Sequence, residues 1–153
     1  MIKPYERSVK YYETDRMAIV NHANYIHWFE EARIYYMEQC GLAYKMVEER
    51  GILIPVLGVN IEYKRSARFG DTVLITEWIT KFSQVRFEIT YEVIDKETGE
   101  LCAKGKTSHC FLDKDLNPVR LKKDYPDIFE AFQKKAEEDK ILLEQKKQAE
   151  GKK

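Results

Sequence analysis

The spacing of apolar residues changes along the chain, and the changes divide it into elements. Residues Glu6 to Tyr12 alternate weakly and predict a short strand, followed by a polar, loop-like stretch from Glu13 to about Asn21. Tyr25, Ile26, Phe29, Ala32, Tyr36, Met37 and Cys40 then recur at spacings of three and four, which is one apolar face of a helix. Asn21 and Asn24 are both suited to cap its start, and Gly41 supplies the left-handed residue that ends it. The helix is therefore expected from about His22 to Cys40. A shorter helical segment covers Ala43 to Glu49 and stops at Gly51.

After Pro55 the period becomes two. Leu57, Val59, Ile61 and Tyr63 alternate with Gly58, Asn60, Glu62 and Lys64. In the next strand Val73, Ile75 and Ile79 face one way and Thr72, Thr76 and Thr80 the other. Val85, Phe87, Ile89, Tyr91 and Val93 alternate with polar residues, Asp95 to Gly99 has hairpin-turn chemistry, and a last strand runs from Leu101 to Leu112, ended by Asp113 to Pro118. Short connections make these four strands antiparallel neighbours, and one helix with an apolar face must cover the sheet. The expected fold class is α+β, a single domain over 1–125 with an antiparallel sheet wrapped around a long helix. From Lys134 the composition shifts to Lys, Glu and Gln. Pro126 to about Gln148 reads as an additional charged helix, solvated or packed on a neighbouring subunit, with a frayed tail to Lys153.

Composition narrows the class. The 153 residues suit one compact domain, and Lys+Arg and Asp+Glu are balanced at 26 each, which argues against general nucleic-acid binding but not against a local site for one phosphorylated ligand. Cys40, Cys102 and Cys110 are scattered, with no CxxC, and read as reduced thiols rather than a disulfide framework or zinc site. The N-terminal residues carry no apolar stretch and no run approaches the ~20 residues of a membrane helix, so a cytoplasmic protein is expected.

The segment Tyr11 to Tyr25 is the informative one. It puts Asp15 on a loop seven residues ahead of His22, where the helix opens with free backbone N–H groups and the positive end of its dipole. Those N–H groups can hold a carbonyl oxygen as it becomes an oxyanion, while a carboxylate opposite attacks the carbonyl or activates water. Ester or thioester hydrolysis has these requirements. The spacing alone also fits an aspartate that merely caps a turn.

Tyr12-Glu13-Thr14-Asp15, Val20-Asn21-His22-Ala23-Asn24-Tyr25 and Trp28-Phe29-Glu30-Glu31-Ala32-Arg33 together resemble the 4-hydroxybenzoyl-CoA thioesterase/YbgC-like branch of the hotdog superfamily. The likeness continues through Cys40-Gly41-Leu42 and the segment from Ile61 to Asp71, covering about residues 5 to 125, with no counterpart for the charged C-terminal helix. The resemblance implies a hotdog fold and hydrolysis of an acyl-CoA thioester, with CoA as part of the substrate and no other cofactor or metal. It assigns Asp15 as catalytic carboxylate, Tyr11 and His22 as assisting residues, and the amides around His22, Ala23, Asn24 and Tyr25 as the carbonyl site. Lys64, Arg65 and Arg68 become contacts to the CoA phosphates, and the acyl pocket lies between subunits of a homodimer or homotetramer. The family's usual residue at position 18 is Gly; a positive φ there would strain Ala18.

Other candidates compete less well. His22 and His27 are five apart and share no helix face, and there is no HExxH, GxSxG or glycine-rich phosphate loop. Glu30 or Glu31 would serve a different hotdog branch, and Cys40 has no histidine near it in sequence. A non-catalytic acyl-CoA or acyl-carrier-protein binding module is the main alternative. A hotdog dehydratase or interaction scaffold is a second, and the histidine motif of a hydratase is missing.

Overall fold

The computed structural model describes residues 2–16 and 18–151. Strand β1 (Tyr5–Ser8) leads through a 3₁₀ turn (Tyr11–Glu13) to the long helix α1 (Asn24–Gln39) and the short α2 (Tyr44–Glu49). Strands β2 (Val56–Tyr63), β3 (Thr72–Phe82), β4 (Arg86–Asp95) and β5 (Leu101–Cys110) follow, then one turn of helix α3 (Leu121–Asp124) and α4 (Pro126–Gly151). The five strands form one antiparallel sheet in the order β1-β3-β4-β5-β2. The first strand is shorter than expected because Tyr11 and Tyr12 turn away into the 3₁₀ segment. No described helix is long and apolar enough to cross a membrane.

Helix α1 buries Tyr25, Trp28, Phe29, Ala32, Tyr36 and Met37 against the sheet. Phe29 stacks on Tyr91 of β4 at 4.2 Å, and beside it lies Gly105 of β5. A Cβ at Gly105 would come within 2.3 Å of the Phe29 ring, so the glycine is the notch that lets the helix approach. Ile26, expected on the buried face, is 47% exposed. It looks sideways along the seam between α1 and β2 rather than down onto the sheet.

The two edges of the sheet differ. β1 pairs only with Thr72–Ile75 of β3, leaving the rest of that strand unpaired on its outer side. α4 packs along β3. Phe132 stacks on Phe82, and Asp139, 1% exposed, accepts the Ile79 N–H at 2.9 Å. Tyr36 Oη also donates to Asp139, and Lys135 Nζ lies 2.9 Å from its other oxygen. The charged helix is therefore docked on its own chain, not solvated along its length. It is helical to Gly151, and Lys152 and Lys153 lie outside the described residues. At the opposite edge β2 has β5 as its only strand neighbour among the described residues, and Val56, Leu57, Val59 and Tyr63 are all exposed. Their alternation marks a strand without burying it.

Candidate active site

The loop before α1 is closed by short-range hydrogen bonds. Thr14 and Val20 form an antiparallel bridge, the Asp15 N–H donates to Ile19 O at 2.9 Å, and the Ala18 N–H donates to Asp15 O at 3.0 Å. Ala18 sits at φ 60, the left-handed conformation in which glycine is unstrained and alanine costs roughly 1–2 kcal/mol. Met17, inside this turn, lies outside the described residues. The loop is tied down by Val20 N–H to Ala67 O at 2.8 Å, Asn21 N–H to Glu13 O at 2.8 Å, and the Asn24 side-chain amide to Glu13 O at 2.9 Å.

Glu13 anchors this arrangement, and the pattern of residues gave it no role. Its carboxylate, 2% exposed, accepts from both terminal nitrogens of Arg7 at 2.8 and 3.0 Å, from the Trp28 indole at 2.8 Å and from the Lys10 N–H at 2.8 Å. Arg7 reaches on to Glu31 at 2.8 Å. Burial by itself would raise the Glu13 pKa; the hydrogen bonds and the Arg7 charge outweigh it and hold the group below its ordinary value. The only sequence signal was a charged residue on each of three separate elements, which nothing in a linear pattern joins.

Asp15, His22, Tyr25, Lys64 and Arg65 line a single cleft of about 320 Å³, together with Tyr63. Tyr25 is buried, which pushes its hydroxyl up to about 12, and its ring packs on Trp28 and on Tyr63. Tyr63, which the sequence did not single out, holds the helix entry by donating to His22 O at 3.1 Å. Tyr11 is outside the cleft lining, 76% exposed with its ring edge-on to Phe69 at 5.6 Å. Arg68 lines a neighbouring depression with Asp71, Asp95 and Glu97. Lys64 pairs with Glu62 at 3.3 Å and Arg65 with Glu100, all exposed, so the basic run is already partly neutralised.

The helix start is more committed than expected. The Ala23 N–H donates to Asn21 Oδ1, Asn24 N–H to Asn21 O, and Tyr25 N–H to His22 O. Asn24's side chain also serves the loop. The His22 N–H, two residues ahead of α1, meets no acceptor among the described residues. Among the described residues no group of three or more His, Cys, Asp or Glu gathers as a metal site.

The thioesterase-like superfamily model matches residues 9–137. YneP of Bacillus subtilis (strain 168), named provisionally as an acyl-CoA thioesterase, is 35% identical over 130 residues, covering 84% of this chain and 94% of that one. A 1,4-dihydroxy-2-naphthoyl-CoA hydrolase of Thermosynechococcus vestitus is 26% identical over 90% of this chain and 92% of its own. The crystal structure of a DHNA-CoA thioesterase from Staphylococcus aureus superposes with a TM-score of 0.82 at 36% identity, covering 86% of this chain and 89% of that one. The hotdog architecture, the extent of the family match and these relatives agree: this chain belongs to the thioesterase-like hotdog superfamily.

Proposed function

We propose that this protein hydrolyses an acyl-CoA thioester to the free acid and CoA, with Asp15 as nucleophile or general base. The observation that carries the reading is the shared cleft: Asp15 and His22, whose N–H has no acceptor among the described residues, line one cavity ahead of α1. The thioester oxygen accepts from that N–H, where the helix dipole favours negative charge. Asp15 attacks the carbonyl carbon, or takes a proton from the water that does. The tetrahedral intermediate collapses, the C–S bond breaks, and CoA leaves as the thiolate, which then takes a proton. On the nucleophilic route water hydrolyses the resulting anhydride. Lys64 and Arg65 exchange Glu62 and Glu100 for CoA phosphates, a replacement of exposed ion pairs worth little by better hydrogen-bonded ones. No step requires a cofactor or metal.

Asp15→Asn keeps size and turn-forming capacity but removes charge and nucleophilicity. It is expected to lower kcat by roughly 10²–10⁴-fold with binding and stability retained. Near-normal thiol release by the folded variant would exclude the mechanism. The exposed β2 edge supports assembly into a dimer or tetramer that roofs the cleft. A light-scattering mass of one chain at micromolar concentration would contradict that. Three free cysteines suit a reducing cytoplasm, checked by fractionation.

A further inference from the structure

Arg33 interrupts the apolar face of α1 and is only 7% exposed. Its Nε donates to the Tyr44 hydroxyl at 2.9 Å and its Nη1 to the Tyr91 hydroxyl at 3.2 Å. Tyr91 continues to Thr107 at 2.6 Å, and Thr107 to His109 at 2.8 Å. All these partners are neutral. Burial, then the Arg33 charge, brings His109 down to about 4, and burial holds Glu77 well above the carboxylate range. Arg33 forms no salt bridge with a carboxylate among the described residues, although Glu77 lies near enough for the Arg33 charge to oppose the effect of its burial. A cation taken out of water costs on the order of several kcal/mol unless an anion compensates it.

Its Nη2 meets no acceptor among the described residues, yet it is not sealed in as Glu77 Oε1 and His109 Nδ1 are. Arg33 lines a second cleft of about 380 Å³, walled by Ile26, Ile34, Ile54, Val56 and Val59. Glu30 and Glu48 also line this cleft, but both are exposed and water and salt screen them. The two clefts share no lining residue, but both are lined by residues of α1 and β2. His22 and Ile26 are one helical turn apart, and Tyr63 and Val59 lie on the same side of the strand. His22 lies just before α1 and Arg33 follows it by eleven positions, a span of roughly 16 Å at helical rise; an arginine leaning toward the helix N-terminus would shorten the gap to roughly 10 Å. At about 1.2 Å per bond in an extended chain, that is roughly eight carbons.

Resting on the hydrolytic reading above, we infer that the seam between α1 and β2 holds the acyl group and that Arg33 determines specificity by pairing with a carboxylate at its far end. The substrate class is then a medium-length acyl-CoA with a distal carboxylate. The charge-assisted pair would satisfy the guanidinium while the isoleucines and valines cover the methylenes.

The test compares thiol release by the unmodified protein on pairs matched in length: hexanoyl- with adipoyl-CoA, octanoyl- with suberoyl-CoA, decanoyl- with sebacoyl-CoA. At one length kcat/KM should favour the carboxylated thioester by about tenfold or more, and Arg33→Gln should lower it for that substrate about tenfold more than for the plain one. Arg33→Lys should recover part of the preference. Equal rates within each pair overturn the inference, whether or not the variants fold. Failure to hydrolyse any acyl-CoA would instead overturn the hydrolytic reading. Calorimetry of free suberate against octanoate then decides Arg33 by itself: no preference for suberate rejects it. If Arg33→Gln changes the oligomeric mass and leaves the acyl preference intact, a second copy covers Nη2 and the inference fails.

Discussion

The open edge of the sheet carries the cleft, and the covered edge carries buried charge. Along β2 the hydrophobic side chains are exposed, the basic residues pair at the surface, and Asp15 itself is exposed on a short turn. Along β3 the unpaired backbone is sealed by α4, and Asp139, Lys135, Tyr36 and Glu77 are enclosed with it. An exposed carboxylate can be replaced at little cost to folding, whereas an enclosed one leaves its partners unpaired in low dielectric. The two edges place an aspartate in opposite environments, Asp15 exposed beside the cleft and Asp139 enclosed under α4.

The comparison breaks most sharply in a pair of variants. Asp15→Asn should remove most turnover and leave urea unfolding nearly unchanged. Asp139→Ala should do the reverse. It strips the acceptor from the Ile79 N–H and the Tyr36 hydroxyl and the counterion from Lys135, for a loss of about 3–5 kcal/mol, with kcat per folded molecule retained. If Asp139→Ala unfolds at the wild-type urea concentration, α4 does not seal the edge.

A second contrast lies in pH. Burial, with Asp139 adding its charge, raises the Glu77 pKa well above its ordinary value, against a smaller opposing effect of Arg33. Between the unfolded and folded pKa the folded state binds more protons, so this group's contribution to stability is full below about pH 4 and declines as pH rises. Glu77→Gln should therefore be as stable as wild type in acid and more stable at neutral pH. The gap should open by at most about 1.4 kcal/mol per pH unit in paired denaturation series. A constant gap across pH would show that Glu77 is ionised in the fold. The smallest effect belongs to the turn that follows Asp15. Ala18→Gly relieves a left-handed alanine but adds freedom to the unfolded chain, for a net gain of about 0.5–1 kcal/mol in thermal or urea unfolding. A loss of stability there would mean the turn does not hold the positive φ.

Much of the architecture was legible because it follows from local periodicity. The apolar spacing of α1, the alternation of β4 and the Asp95–Gly99 turn all correspond to observed elements. The Asp15 motif and the expectation for Ala18 depended on one short stretch whose turn closes on itself through the Asp15–Ala18 and Asp15–Ile19 bonds. What went unseen were pairings across distance. Arg7, Glu13, Trp28 and Glu31 belong to three elements, and Tyr63 meets His22 from forty-one positions away. Several helix-start amides are already bonded, because Asn21 accepts from Ala23 and Asn24, and the His22 and Ala23 carbonyls accept from Tyr25 and Ile26.

The sequence by itself determined which segments are helices and strands, that the sheet is antiparallel, and that a carboxylate precedes the opening of the long helix. These depend on side-chain period, turn chemistry and chain connectivity, which are written locally. Only the tertiary structure decided which edge is covered. A helix as polar as α4 shows too little apolar period to announce its seat, yet it docks through buried Ile128 and Phe132, and Asp139 accepts a backbone N–H from the unpaired β3 edge. The same holds for Arg33: nothing in its neighbours along the chain tells that it is buried, bonded to two tyrosines and part of the lining of a cleft. Burial and partnership are properties of packing, and they turn one charged residue into a structural post and another into a candidate ligand site.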